Sequence, residues 1–232
     1  MSASALLLLA ALATGQGVDP LARPDDFKPD PAWKELGPSL WFDAKGRRLV
    51  IRARVVLREG ALEHLLCRKG TKEHEAILAT AAPPRLVHAG LLLTGAEVGH
   101  PVHFQPKFLP PAGSPIAIDL EWLEGGKPKT ADAREWVLDE RAKKALDKDW
   151  VFAGSELVED PGTKTPYYLA EDGDMITVAN FASATLDLPF ASTADDTGRT
   201  FVARTAVVPP RGTGVTMFLR PRKATSPAPA KP

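Results

Sequence analysis

Residues 49–57 constrain the fold of this chain more than any other stretch. Val50, Arg52, Arg54 and Val56 fall on one side of an extended backbone, and Leu49, Ile51, Ala53, Val55 and Leu57 fall on the other. Successive side chains of a strand point to opposite faces, so this alternation marks a strand with one face more deeply buried. Just upstream, Leu40-Trp41-Phe42 is a second extended run. Asp43-Ala44-Lys45-Gly46 between the two has glycine where a hairpin turn needs it.

The same strand and turn chemistry recurs along the chain. Runs at 62–67 and 75–80 form a pair around Arg68-Lys69-Gly70-Thr71-Lys72. Runs at 116–123 and 133–138 form another across Gly125-Gly126-Lys127-Pro128. Further strands are expected at 150–153, 167–170, 175–179, 201–205 and 215–219. Two helices interrupt them. Pro84 suits a first helical turn, and the segment runs on to Gly95, a natural stop. Leu86, Val87, Ala89, Leu91, Leu92 and Leu93 nearly encircle this helix, so over about 85–95 it is expected to be buried. The second, at about 139–147, is short and charged and belongs on the surface. The fold class is therefore α+β: a β-rich single domain with one buried and one surface helix.

An internal echo bears on its architecture. Leu109-Pro110-Pro111-Ala112-Gly113 leads into Ile116-Ala117-Ile118, and Val208-Pro209-Pro210-Arg211-Gly212 leads into Val215-Thr216-Met217, without a gap between the aligned segments. An old duplication into two related halves is one reading of this echo, and chance recurrence is the other.

The ends of the sequence differ from its middle. Ala5 to Ala13 is an unbroken Ala/Leu run, too short to span a bilayer as a helix, and Ala11-Leu12-Ala13 has the small-x-small pattern of a cleavage site. This predicts a signal peptide over 1–17 and export to the periplasm or medium. No Cys follows the run, so no lipid anchor is expected. Residues 18–38 hold five prolines among acidic residues and read as an extended linker, the folded domain occupies 39–221, and 222–232 reads as a disordered Pro/Ala tail.

Basic and acidic residues balance at 29 each and alternate along the chain, which argues against a nucleic acid or an anionic membrane as partner. No second apolar run exists, so the mature chain is expected to carry no transmembrane segment. Cys67 is the sole cysteine, so no internal disulfide can form and the core alone must hold the domain.

Residues 67–75 gather a thiol, cations, an imidazole and a carboxylate near one turn. Lys72 and His74 could lower the thiol pKa and make Cys67 a nucleophile. Equally, Cys67 sits inside an apolar run, where a small inert residue fits. Cys67, Lys72, His74, Glu75 and His88 are the candidate ligand-binding residues, with a His88–Glu75 pairing one arrangement. The zincin pattern fails, because Leu78 stands where a second histidine is needed. Convergence of His64, His74, His88, His100 and His103 with Glu75 on a metal remains open, with His74, Glu75, His100 and His103 the candidate ligands. No cofactor is otherwise expected. There is no Gly-x-Ser-x-Gly elbow, no Gly-x-Gly-x-x-Gly, no phosphate loop and no Cys-x-x-Cys pair.

The stretch Leu66-Cys67-Arg68-Lys69-Gly70-Thr71-Lys72-Glu73-His74-Glu75 followed by His88-Ala89-Gly90-Leu91 resembles the YdjY-domain family of bacterial exported proteins. Arg134-Glu135-Trp136-Val137, Trp150-Val151-Phe152-Ala153-Gly154-Ser155, Asn180-Phe181 and Val208-Pro209-Pro210-Arg211-Gly212-Thr213 extend the likeness in order over residues 40–221. The resemblance implies a bacterial envelope or secreted setting and a shared fold, and it assigns no catalytic residue. The reading favoured is a non-enzymatic exported module that binds an envelope protein or a small ligand. The alternative is a thiol- or metal-dependent enzyme, or a metal-binding protein, centred on Cys67, His74, Glu75 and His88.

Overall fold

The alternating run becomes β3 (Arg48–Val55), an interior strand of a ten-stranded sheet in a computed structural model that describes residues 27–192 and 201–222. Before it come β1 (Lys34–Gly37) and β2 (Leu40–Asp43), and after it β4 (His64–Arg68) and β5 (Ala76–Thr80). Helix α1 (Pro84–Leu93) follows, then β6 (Val98–His100), β7 (Ala112–Gly113), β8 (Pro115–Glu124) and β9 (Lys127–Asp132). The chain continues through β10 (Val137–Asp139), β11 (Lys144–Ala145), β12 (Trp150–Val151), β13 (Leu157–Glu159) and β14 (Pro166–Tyr168). It closes with β15 (Asp174–Thr177), β16 (Phe201–Ala203) and β17 (Gly214–Pro221).

The main sheet runs β12-β8-β17-β3-β5-β4-β15, with β9 on β8 and the β1–β2 ribbon on β3. In β3, Leu49, Ile51, Ala53 and Val55 are buried while Arg52 and Arg54 are half-buried, as the alternation requires. The core extends across the sheet through Leu40, Ile77, Leu120, Met217 and Leu219 to Trp136, Trp150 and Phe152.

Several expectations are corrected. The 139–147 segment forms no helix. It is the turn of the β10–β11 hairpin, pairing Leu138 with Ala145, where Asp139 caps the turn by accepting from the Ala142 amide. Local charge at Lys143, Lys144 and Asp147 suits an exposed hairpin as well as an exposed helix. Nor is α1 buried all round: Val87, Gly90 and Leu91 face the core, while Leu92 and Leu93 are 47% and 56% exposed. The hairpin partner of β8 is β9, beginning directly after the Gly125-Gly126 turn, and not 133–138. Both glycines have positive φ (56° and 78°), the requirement of a tight two-residue hairpin. Pro128 is accommodated because β9 is an edge strand, where a missing N–H breaks no ladder.

The 62–67 and 75–80 runs do pair, but in parallel, with His64 opposite Ala76 and Cys67 opposite Ala79. The chain must therefore return alongside β4 before β5 begins, and residues 69–75 make that return. The two echo segments lead into β8 and β17, which are antiparallel neighbours inside the sheet, Leu120 opposite Met217. Residues 34–37, read as linker, enter the sheet as β1. The predicted signal peptide and nearly all of the predicted tail lie outside the described residues. Among those described, no helix is long and apolar enough to cross a membrane.

Candidate functional site

Among the described residues, two groupings of polar side chains take up most of the sequence candidates, leaving Cys67 and His74 outside them. The first lies at the start of β4. The returning loop 69–75 brings Glu75 back beside Glu63 and His64, whose amides both donate to the Glu75 carbonyl at 3.0 and 3.1 Å. His64 is fully buried. Its Nε2 lies 2.8 Å from Asp174 Oδ1 on the neighbouring strand β15, and its Nδ1 lies 3.9 Å from Glu75 Oε1. Lys72 Nζ reaches the same Asp174 oxygen at 2.9 Å, and Ser183 Oγ donates to the other. Phe181 stacks on the imidazole at 5.5 Å between centroids, with Lys72 above its face.

Electrostatics follow from this packing. Burial alone would raise the Asp174 pKa, but the hydrogen bonds from His64, Lys72 and Ser183 outweigh it and hold the carboxyl well below the usual range. An ionised carboxylate only accepts, so His64 must donate its Nε2–H to it. Burial, and then the Glu75 carboxylate beside it, raise Glu63. Against its own burial, Lys72 is raised by Asp174, Glu75 and Glu63.

Of the sequence candidates, His64, Lys72 and Glu75 belong to this group. His74 is a bystander, 76% exposed, with Nε2 3.6 Å from Glu75. Cys67 is fully buried among Val56, Ala76 and Ala79, and burial pushes its thiol up to about 12. His64 and Asp174 carry the centre of the group. The sequence signal for His64 was present, an ionisable residue inside an apolar run, but Asp174 is 110 positions away and no spacing connects the two.

The second grouping is a cleft of about 780 Å³ between α1, the β6 strand and the β13–β14 hairpin. His88 and His100 line it together with His103, Gly154, Leu157 and Tyr168. His88 does not meet Glu75; its Nδ1 is 3.1 Å from the Tyr168 hydroxyl, which in turn donates to the Gly154 carbonyl at 3.1 Å. The same hydroxyl lies 3.1 Å from Thr185 Oγ1, so Tyr168 ties His88 to both Gly154 and Thr185. Burial lowers the His88 pKa, so the ring is neutral at pH 7, and burial holds the Tyr168 phenol up at about 12. His100 and His103, also in the lining, stack on each other at 5.5 Å between centroids. Glu171 pins the cleft's base by binding Arg68 at 2.7 Å and Arg85 at 3.5 Å.

Among the described residues, fold and site together define a β-rich domain with one α-helix laid on a large, mostly antiparallel sheet and a wide cleft at the helix edge. The chain belongs to the YdjY domain family, whose model matches residues 40–220. No curated protein and no solved structure matches it.

Proposed function

We propose that this protein is an exported, non-enzymatic binding module of the bacterial envelope, and that the His88–Tyr168 cleft takes a small ligand with an apolar body. The cleft itself carries the reading. Val98 and Leu157 stand 46% and 69% exposed on its rim, and Pro101 and Pro166 add further apolar surface. His88 and Tyr168 add fixed polar atoms to this apolar surface, and Arg85, Glu156 and Glu171 add charge to the lining. A concavity that combines apolar surface with convergent polar groups is the usual form of a small-molecule site. An enzyme working through Cys67 finds less support, because a buried thiol held near 12 is not a nucleophile at neutral pH. The Ala/Leu run at 5–13 supports export.

The probe is 1-anilinonaphthalene-8-sulfonate, an apolar fluorophore of suitable size. Saturable 1:1 binding is expected, weakened at least fivefold by Leu157→Asp with Val98→Asp, both at exposed positions. Absence of saturable binding, or an affinity indifferent to the double variant, overturns the cleft as the site. Export has its own test, sequencing the N-terminus of the mature product. Loss of the residues before about position 18 is expected, and a product retaining Ser2 would refute it.

A further inference from the structure

We infer that Glu63, His64 and Glu75 form a binding site for a divalent transition-metal ion of the zinc type, with Asp174 positioning the imidazole. One donor atom from each of the three side chains lies within 4.8 Å of the other two. Two carboxylates facing each other are by themselves only an acidic cluster. The independent observation is His64 Nδ1, a nitrogen of a side chain with no exposed surface, which has no hydrogen-bond partner. It faces Glu75 Oε1 at 3.9 Å, too far for a hydrogen bond.

The placement of the ring gives this nitrogen its chemistry. Asp174 Oδ1 accepts from Nε2–H at 2.8 Å, which fixes the ring so that Nδ1, the nitrogen without a hydrogen-bond partner, points at the two glutamates. A buried, unpartnered ring nitrogen and two carboxylates directed at one point are a donor set that a single metal ion serves at once. A carboxylate behind a metal-ligating histidine is the usual device that fixes the ring's tautomer and orientation. Imidazole with carboxylates suits zinc better than magnesium or calcium, which prefer all-oxygen shells. Zinc bonds of about 2.0–2.2 Å would place tetrahedral donors roughly 3.3 Å apart. Closing from 3.9 Å, and from at most 4.8 Å for the other pairs, requires rotation of the two glutamate side chains, of which Glu75 is 23% exposed. Lys72 does not occupy the position, since its ammonium sits on Asp174, behind the imidazole.

Three protein ligands leave one tetrahedral position for water, the open arrangement of zinc sites that do more than brace a fold. The site is separate from the cleft, whose histidines His88, His100 and His103 contribute nothing to it.

The test is zinc titration calorimetry on chelator-stripped full-length protein. One Zn²⁺ per chain is expected, with affinity reduced about tenfold or more by Glu63→Gln and by Glu75→Gln. Both substitutions keep shape at partly exposed positions, and circular dichroism confirms folding. His100→Ala with His103→Ala should leave the affinity unchanged. Asp174→Asn should weaken binding about 10–100-fold and shift the d–d bands of the Co²⁺-loaded protein. No saturable zinc binding, indifference to both glutamine variants, or loss in the His100/His103 variant would each overturn the site. Unshifted Co²⁺ bands in Asp174→Asn would overturn the positioning role.

Discussion

Cys67 sits on β4 opposite Asp174 on one neighbour and Ala79 on the other, with no exposed surface. The cationic neighbours that sequence alone sets beside it are spent elsewhere: Lys72 turns to Asp174, and His74 faces solvent. Burial therefore decides the thiol's chemistry. With the pKa near 12, about one thiol in 10⁵ is ionised at pH 7. Native-state alkylation by iodoacetamide should be slow and should accelerate on denaturation, with no effect of His74→Ala. Cys67→Ala removes one sulfur and should cost about 1 kcal/mol in urea unfolding, by extension from small core truncations. Rapid native alkylation would contradict the burial argument. An inert thiol also suits export, because a reactive one lacking a resolving partner would oxidise.

At the scale of elements, α1 shows how a helix with apolar residues all round can still have one buried face. Gly90 decides which face. A Cβ there would lie 2.4 Å from Leu49 Cδ1 and 3.3 Å from Leu36 Cδ1, so the helix backbone rests almost directly on β3 and β1. Gly90→Ala should raise helix propensity by up to about 1 kcal/mol, while overpacking against a fully buried leucine costs about 1–3 kcal/mol. The expected net effect is a destabilisation of about 1 kcal/mol. Combining it with Leu49→Val should cost less than the sum of the two, since the valine relieves the same contact. Strict additivity would show that the helix does not press on Leu49. What was legible in the sequence at this scale was local: the β3 alternation, the Pro84 start and the Gly95 stop. What was not legible was pairing. Nothing in residues 62–80 distinguishes a parallel return from a hairpin, because the hydrophobic pattern of each run is the same either way. That direction of pairing is what delivers Glu75 to His64. The candidate site was thus half-visible, with Glu75, Lys72 and the histidines in view and their partners Glu63, Asp174 and Tyr168 supplied only by the tertiary structure.

For the whole molecule, two buried aspartates pull stability in opposite directions with pH. Asp174 is held low by His64, Lys72 and Ser183, so its stabilisation is present above about pH 4 and is lost as pH falls below that. Asp187 is the reverse. It is fully buried, and burial pushes it up to about 7 even though Thr177, Asn180 and the Leu188 and Phe181 amides all donate to it. A folded-state pKa above the unfolded value of about 4 means the native state binds the proton more tightly. Its contribution is then fully present below pH 4 and is lost as pH rises through about 7, a change on the order of a few kcal/mol. His88, held neutral by burial, adds a slope of the opposite sign, because its lowered pKa penalises the fold as pH falls below about 6.5. The difference between wild type and Asp187→Asn isolates the aspartate, since His88 is common to both. Urea midpoints measured from pH 4.5 to 8 should fall more steeply with pH in the wild type than in the variant. The slope is the readout, because the asparagine amide must also face the Phe181 N–H and so alters absolute stability at every pH. Parallel pH profiles for the two proteins would show that Asp187 is ionised throughout, stabilised by its four donors, and that burial does not govern it.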